Sequence, residues 1–175
     1  VFSASADKTV GVWDAESGRR LKKLTGHDAF VNGVCPSHDT PHTLASASDD
    51  GTVKLWDSRR KQDALTIPHP YQVTAVAFSS DDNCVYSGGI DNIVRVWDLR
   101  KPAGDPIFKL EGHTGTVTSL ATSPDGNTLL SNGMDGALRA WDVRPFVAGG
   151  DGGRSGGETR DGNLARGADS PSLES

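Results

Sequence analysis

The sequence contains little cysteine and no long apolar segment. Its 175 residues include two cysteines, Cys35 and Cys84. Both lie in or beside predicted strands, so we expect buried small hydrophobic residues in a reducing compartment rather than a disulfide. No apolar run reaches the length of a membrane-spanning helix, and no signal-peptide pattern is present. We therefore expect neither secretion nor a membrane partner.

The sequence also lacks an excess of positive charge, because its formal net charge is −5 at pH 7. Proteins that bind nucleic acid through their overall field are normally basic. Direct, charge-driven binding to nucleic acid is therefore disfavoured. One basic cluster, Arg19–Lys23, is the candidate for a local basic patch. We interpret it instead as a solvated outer strand.

The patterns of common cofactor and metal sites are missing or incomplete. The glycine-rich stretch Gly149–Gly157 has no lysine and precedes no predicted helix, so it does not resemble a phosphate-binding loop. Cys35, His38 and His42 have part of a zinc-site spacing, but no second cysteine pair lies nearby. We expect no cofactor, no metal and no enzymatic activity.

What the sequence does contain is one phrase that occurs four times. Its copies read SADKTVGVWD, SDDGTVKLWD, GIDNIVRVWD and GMDGALRAWD. All four tryptophans lie in these copies, with spacings of 43, 41 and 44 residues. A period near 40 residues that ends in Trp-Asp is typical of a β-propeller blade.

Three other residue types recur at fixed distances from the tryptophans. A serine lies ten residues before each tryptophan and an aspartate six residues before it, while a histidine lies 28 or 29 residues before the last three. Asp50-Gly51 and Asp135-Gly136 are strong signals for two-residue hairpins, Asp91-Asn92 is weaker and Asp7-Lys8 is the weakest. Each turn would join a serine-bearing strand to a tryptophan-bearing strand. The polar groups would then converge and satisfy one another's hydrogen bonds.

This pattern resembles the WD-repeat family from Val1 to about Phe146. The resemblance implies an Asp–His–Ser–Trp network inside each complete repeat. Its members would be His27, Ser46, Asp50 and Trp56 in one repeat, His69, Ser87, Asp91 and Trp97 in the next, and His113, Ser131, Asp135 and Trp141 in the last.

One repeat departs from the family pattern. The family's Gly-His dipeptide is present at Gly26-His27 and Gly112-His113, but the middle repeat has Pro68-His69-Pro70. Proline supplies neither a backbone N–H nor a positive φ, so we expect this corner to be built differently.

The resemblance predicts an all-β, WD-repeat β-propeller of antiparallel four-stranded blades. The expected units are a partial blade at 1–25, repeats at 26–67 and 68–111, and a repeat at 112–146 that lacks its outer strand. Inner strands such as Val73–Phe78 are apolar on both faces, which predicts that each blade packs against its neighbours. Three and a half blades are fewer than propellers usually have. We expect either a fragment of a longer, seven-bladed propeller or a piece that pairs with another copy or a partner. Residues 147–175 are rich in glycine and contain no aromatic residue, which predicts a disordered tail.

The recurrence of serine, histidine and aspartate also raises the possibility of a hydrolase. A nucleophile needs an exposed, activated oxygen and a substrate cleft. These serines lie within predicted strands and repeat once per blade. A catalytic set occurs once, so we interpret the repeated set as structural.

Apolar residues at predicted turns indicate one candidate surface for a protein partner. The residue before the network aspartate is Ile90 in one repeat and Met134 in another, while Phe30 and Tyr71 lie just before inner strands on the same side. Together they could form an apolar patch for a protein partner. The alternative is that they pack within the loops.

A second candidate surface is the pattern Trp-Asp-x-Arg, which places Arg59, Arg100 and Arg144 after three of the tryptophan strands. This pattern resembles the WD-repeat substrate receptors of cullin-type ubiquitin ligases, in which the arginine reaches an adaptor. An exposed arginine could form a bidentate pair with a carboxylate of a cullin adaptor. The alternative is that each arginine caps a solvated turn.

Longer stretches resemble one branch of the family more closely. YQVTAVAF, SGGIDN and WDVRPF, in this order and spacing, are similar to WD-repeat subunits of spliceosomal small nuclear ribonucleoproteins. The resemblance implies a non-enzymatic nuclear scaffold in pre-mRNA splicing. Its partners would be the large central splicing factor and other spliceosomal subunits, with mostly indirect RNA contact. A signalling scaffold or histone-peptide reader, and a cytoplasmic location, remain alternatives because a fold does not determine a function.

Overall fold

The computed structural model describes residues 1–60, 62–101 and 104–144. The predicted tail at 147–175 and the end of the fourth repeat lie outside these described residues. Within them the chain forms fourteen β-strands in four antiparallel sheets. These residues contain no helix that is long and apolar enough to cross a membrane.

The strands follow one another around each sheet in chain order. Their bounds are β1 Phe2–Ala4, β2 Thr9–Trp13, β3 Arg20–Thr25, β4 Val31–Pro36, β5 Thr43–Ser48, β6 Thr52–Asp57, β7 Asp63–Pro68, β8 Val73–Phe78, β9 Cys84–Gly89, β10 Val94–Asp98, β11 Phe108–Leu110, β12 Val117–Thr122, β13 Thr128–Gly133 and β14 Leu138–Asp142. The second sheet has the order β4-β5-β6-β7 and the third has β8-β9-β10-β11. The first sheet is β1-β2-β3 and the fourth is β12-β13-β14. This arrangement confirms the predicted all-β fold, a partial WD-repeat propeller.

The hairpins that carry the network aspartates are not the two-residue turns predicted from Asp-Gly. In the second sheet, three residues separate β5 from β6, and the N–H of Gly51 donates to the carbonyl of Ser48 over 3.2 Å. Gly51 has a φ of 75°. This is a turn closed by a left-handed residue, the usual geometry of a three-residue hairpin. The left-handed position falls on the residue after the aspartate, which explains why glycine recurs there.

The hydrophobic core lies between successive sheets. Each tryptophan of the last three sheets faces the sheet before it. Trp56 packs with Val10 and Leu24 of the first sheet. Trp97 packs in the same way among residues of the second sheet. Each sheet thus buries both faces only where it has two neighbours, as expected for stacked blades.

The two cysteines contribute to this packing and form no disulfide. Cys84 is fully buried between the third and fourth sheets, and Cys35 is partly buried against the cluster between the second and third. Burial raises the pKa of the Cys84 thiol to about 11. The thiol is therefore protonated at neutral pH, as expected for a small hydrophobic residue.

Each sheet has two chemically distinct ends. The aspartate end carries the hairpin after the serine strand and the residues just before the innermost strand. The arginine end carries the turn that follows the Trp-Asp pair. Thr43 pairs with Asp57 across β5 and β6, while Ala47 pairs with Val53. The Asp49–Gly51 turn and the Ser58–Arg60 turn therefore lie at opposite ends of the second sheet.

Candidate interaction surfaces and the polar networks behind them

In the second sheet the polar residues form one continuous network. Nδ1 of His27 lies 2.7 Å from a carboxylate oxygen of Asp50. Nε2 of the same ring lies 2.7 Å from the hydroxyl of Ser46, which also accepts the indole N–H of Trp56 over 2.7 Å. The backbone N–H of Asp28 donates to Asp50 over 3.0 Å. The network thus joins the hairpin, the corner before β4 and the tryptophan strand.

The charges of this network follow from its burial. Burial lowers the pKa of His27 below its ordinary value, although the neighbouring carboxylate of Asp50 acts in the opposite direction. Burial alone would raise the pKa of Asp50, but the hydrogen bonds from Thr52, Asp28 and His27 together lower it. The geometry therefore favours an ionised aspartate beside a neutral imidazole at neutral pH.

The fourth sheet repeats this arrangement. Nδ1 of His113 lies 3.0 Å from Asp135, and Nε2 lies 2.7 Å from Ser131. Trp141 donates its indole N–H to Ser131 over 2.8 Å. The backbone N–H of Thr114, which donates to Asp135 over 2.9 Å, is the main cause that lowers the pKa of this carboxyl to about 2.

The third sheet differs from the predicted set. His69 lies 2.7 Å from Ser87, and Trp97 donates to the same hydroxyl over 2.8 Å. The other ring nitrogen of His69 lies 3.2 Å from the carbonyl of Ile67. Asp91 is not bonded to the histidine.

The sequence around His69 supplies a physical reason for this difference. The residue after the histidine is Asp28 in one sheet and Thr114 in another, and both donate a backbone N–H to the network aspartate. The third sheet has Pro70 at this position, which has no N–H to donate. Asp91 is instead paired with Arg95, whose guanidinium lies 2.5 Å away. Both side chains of this pair are nearly buried.

Arg95 is a network residue that the sequence analysis did not identify. It lies four residues after Asp91 and two before Trp97, where the other repeats have Lys54 and Arg139. Lys54 bonds to Asp63 and Thr66 instead. A cation at this position therefore does not by itself predict a bond to the network aspartate. The sequence feature that marks this sheet as different is the pair of prolines on either side of His69.

The serines at the centre of the networks are not placed for catalysis. Ser46, Ser87 and Ser131 are fully buried, and each hydroxyl is held by an indole and an imidazole. The described residues contain no cluster of histidine, cysteine, aspartate and glutamate that could hold a metal ion. The hydrogen bonds of these networks join the strands and corners of each sheet.

The four apolar residues predicted for a partner surface all lie exposed at the aspartate end. Their exposed fractions are 53% for Phe30, 57% for Tyr71, 43% for Ile90 and 75% for Met134. Backbone hydrogen bonds fix the loops beneath them. The N–H of Ile90 donates to Gln72 over 3.3 Å, which places Ile90 beside the corner that carries Tyr71. These four exposed apolar side chains, called the apolar rim below, therefore lie at the same end of three successive sheets.

The three arginines of the Trp-Asp-x-Arg pattern lie at the arginine end and share one geometry. Each folds back on the aspartate two residues before it. The Arg59 fork donates to Asp57 at 2.8–3.2 Å, and Arg100 donates to Asp98 with two bonds of 2.9 Å. Arg144 is paired with Asp142 in the same way. These pairs raise the pKa of each arginine and lower the pKa of each aspartate.

Comparison with characterised proteins identifies relatives among splicing factors. The U5 small nuclear ribonucleoprotein 40 kDa protein of Dictyostelium discoideum is 41% identical over 113 residues, which cover 65% of this chain and 32% of that protein. The human protein of the same name is 50% identical over 77 residues, which cover 44% and 22%. The pre-mRNA-splicing factor cwf17 of Schizosaccharomyces pombe is 42% identical over 100 residues, which cover 57% and 29%. The chain thus spans about a third or less of these relatives.

The family comparison agrees with the sheets and their networks. The sequence model of the family described as "WD domain, G-beta repeat" matches residues 18–57, 62–98 and 104–142. These matches cover more than half of the chain, and each ends at a Trp-Asp pair. The chain therefore belongs to the WD40, or WD-repeat, family.

Proposed function

We propose that this chain is a non-enzymatic scaffold that acts in pre-mRNA splicing. The proposal rests mainly on the 41–50% identity to splicing proteins over 77 to 113 residues. It extends the role named for those proteins to this chain. A nuclear location and partners within a splicing particle follow from the same proposal.

The exposed rim at the aspartate end supports a scaffold role. Phe30, Tyr71, Ile90 and Met134 present apolar side chains from three successive sheets, and the networks hold the loops beneath them. Several large apolar side chains exposed at one end of a fold are typical of protein-binding sites. We propose that this rim contacts a protein subunit of the splicing particle, with the large central splicing factor as the first candidate.

The charge of the chain supports indirect rather than direct contact with RNA. Its net charge of −5 disfavours a general attraction to phosphate. Retention in a splicing particle would therefore depend on protein contacts. We expect the association to survive nuclease treatment.

The cullin adaptor is the weaker of the two partner hypotheses. An adaptor carboxylate would have to compete with Asp57, Asp98 or Asp142, each of which already occupies an arginine fork. Exposed pairs of this kind are individually weak, so competition is physically possible. No relative described above carries a ligase name.

Affinity purification of the tagged chain from nuclear extract tests the proposal, with and without ribonuclease. We expect splicing-particle proteins to be enriched in both samples. A Tyr71→Ser/Met134→Ser variant should lose at least about tenfold of this enrichment, since two large interface residues together contribute more than 1.4 kcal/mol. An Arg59→Ser/Arg100→Ser variant is the matched control from the opposite end and should retain it.

Two outcomes of this experiment would contradict the proposal. Enrichment of cullin adaptors that is lost in the arginine variant would establish the ligase hypothesis. Loss of splicing proteins on ribonuclease treatment would show that RNA, rather than the apolar rim, connects the chain to the particle.

A further inference from the structure

We propose that the aspartate end of the second and third sheets binds an arginine of a partner protein, together with an apolar residue close to it in the partner sequence. The exposed rings of Phe30 and Tyr71 and the carboxylate of Asp49 contact the arginine, and Ile90 contacts the apolar residue. The proposal rests on the proposed function, because it takes the apolar rim as a protein-binding surface and names the chemistry of the segment that binds there.

The turns of the second sheet differ in charge from those of the other sheets. The residue before the network aspartate is acidic in the second sheet, where it is Asp49, and uncharged in the other three, where it is Ala6, Ile90 or Met134. The residue after the network histidine is Asp28 in the second sheet, and proline or threonine in the sheets that follow. Both acidic residues therefore belong to one sheet and lie beside the apolar rim.

Backbone contacts place Asp49 between the corners that carry the two aromatic residues. Its N–H donates to the carbonyl of Phe30 over 2.9 Å. On the other side, the carbonyl of Gly51 accepts the N–H of His69 over 2.8 Å. A Cβ atom on Gly51 would lie 3.5 Å from the carbonyl oxygen of Tyr71. The turn that begins at Asp49 therefore contacts both corners.

The carboxylate of Asp49 is oriented but not neutralised. The amide of Asn32 donates to one of its oxygens over 2.7 Å and to the carbonyl of Val73 over 3.0 Å. Within the described part of the chain, the other oxygen accepts no hydrogen bond, and neither Asp49 nor Asp28 forms an ion pair. A partly exposed carboxylate without a counter-ion attracts a cation from a partner.

The cations of the first three sheets leave this negative charge in place. Lys23, Lys54 and Arg95 are each paired with another aspartate, at 3.0, 3.2 and 2.5 Å. Lys8, in the corresponding turn of the first sheet, forms no ion pair with either carboxylate among the residues that the structure describes. A cationic segment of a partner therefore complements the surface around Asp49.

The two exposed rings favour arginine over lysine as that cation. The side chains of Phe30 and Tyr71 are both more than half exposed. A guanidinium stacks on an aromatic face and forms two parallel bonds with a carboxylate, whereas an ammonium is a strongly hydrated point charge. Because Asp49 lies between the corners that carry the rings, one arginine can contact a ring and the carboxylate together.

Ile90 supplies the contact for a second residue of the partner. Its N–H donates to the carbonyl of Gln72 over 3.3 Å, which places it beside the corner that carries Tyr71. Its side chain is exposed. Alternate residues of an extended segment point to the same side, so the apolar residue is expected two positions from the arginine. The expected partner segment is therefore extended and reads Arg-x-apolar or apolar-x-Arg.

The peptide acetyl-GIARAIG-amide is a direct probe, because it carries isoleucine two positions from the arginine on both sides. It is titrated into the full chain labelled with ¹⁵N and followed by NMR. We expect saturable shifts of the amide signals of Phe30, Asp49 and Tyr71. Its dissociation constant should be at least about threefold lower than that of the same peptide with glutamine in place of arginine, the range of one exposed ion pair and one ring contact. The peptide with lysine should bind more weakly than the arginine peptide.

Matched variants of the chain locate the site. Asp49→Asn keeps an oxygen that accepts from Asn32 and removes the charge. It should weaken binding of the arginine peptide about threefold and leave the glutamine peptide unchanged. Asp39→Asn, at an exposed aspartate in the loop between β4 and β5, is the control and should change neither. Tyr71→Leu should weaken the arginine peptide about twofold more than the glutamine peptide, because it removes the ring and keeps an apolar side chain.

Equal dissociation constants for the arginine and glutamine peptides would overturn the proposal, as would equal losses in Asp49→Asn and Asp39→Asn. Equal affinity for the arginine and lysine peptides would overturn the assignment to arginine. The titration contains no nuclear extract, so its result is separate from the test of the splicing role. Enrichment of splicing proteins with equal peptide affinities would refute the arginine site alone, and selective arginine binding without that enrichment would refute the splicing role alone.

Discussion

At the scale of single residues, Asp50 and Asp91 occupy the same repeat position with different partners. Asp50 accepts bonds from His27 and from backbone N–H groups, whereas Asp91 is paired with the nearly buried Arg95. Removal of Asp50 would leave a neutral imidazole and backbone N–H groups unsatisfied. Removal of Asp91 would leave the nearly buried guanidinium of Arg95 without its counter-ion, which costs more.

Asp91→Ala should therefore destabilise the chain more than Asp50→Ala. We expect a loss of about 3–5 kcal/mol in the free energy of unfolding for Asp91→Ala, and about 1–3 kcal/mol for Asp50→Ala. Urea unfolding of both variants measures the difference. The double variant Asp91→Ala/Arg95→Met should recover part of the loss. An equal loss of unfolding free energy in the two single variants would show that Arg95 does not need Asp91 as its ion-pair partner.

His69 should make the stability depend on pH. Burial lowers its pKa from an ordinary value of 6.5 to about 4. The folded state thus resists protonation, so the contribution of His69 is fully present above about pH 6.5 and is lost as the pH falls towards 4. Between pH 7 and pH 5 the wild-type chain should lose about 2 kcal/mol more stability than His69→Gln.

Unfolding in urea at these two pH values measures the effect. His38→Gln, at an exposed histidine, is the control and should follow the wild-type chain. A His69→Gln variant with an unchanged pH dependence would show that the ring is not held in its neutral form.

Most of the network could be predicted from spacing, because histidine, serine, aspartate and tryptophan recur once per period. The pairing of Asp91 with Arg95, rather than with His69, could not be predicted from spacing. It depends on the missing N–H of Pro70 and on a side-chain rotamer of Arg95, and neither leaves a periodic signal. Pro68 and Pro70 indicated only that the corner differs.

At the scale of single elements, the strands could be located from alternation and turn residues, but the hairpin geometry could not. Asp-Gly predicted two-residue turns, whereas the observed loop between β5 and β6 has three residues. The left-handed residue closes each loop: Gly51 and Gly136, and the non-glycine residues Lys8 and Asn92. Both loop types demand a positive φ, so composition alone does not separate them.

Gly136→Ala isolates the conformational cost of this hairpin. Gly136 has a φ of 74°, and a Cβ atom there would meet nothing within 4 Å. Its cost is therefore that of the left-handed backbone alone, about 1 kcal/mol. Thermal unfolding measures it. Gly104→Ala, which is also sterically open and has no left-handed φ, is the control and should be neutral or slightly stabilising; equal effects at both sites would contradict this account.

At the scale of the whole molecule, the sheets separate two surfaces of different chemistry. The apolar rim lies at the aspartate end. The arginines, each paired with the aspartate two residues before it, lie at the arginine end. The residues of both candidate surfaces were identified from the sequence. The strand pairing explains why the two surfaces lie at opposite ends. The bond from each arginine to the aspartate two residues before it depends on side-chain conformation, which the sequence pattern does not predict.

The central claim is that the aspartate end makes the protein contacts of a splicing scaffold. Site-specific photo-crosslinking in nuclear extract tests it most directly, with the photoreactive residue at Met134 in one variant and at Arg60 in the other. Both side chains are about 75% exposed, so accessibility is matched. Crosslinks from position 134 to splicing-particle proteins, with few from position 60, are the predicted result. Crosslinks to these proteins from position 60 alone would contradict the account.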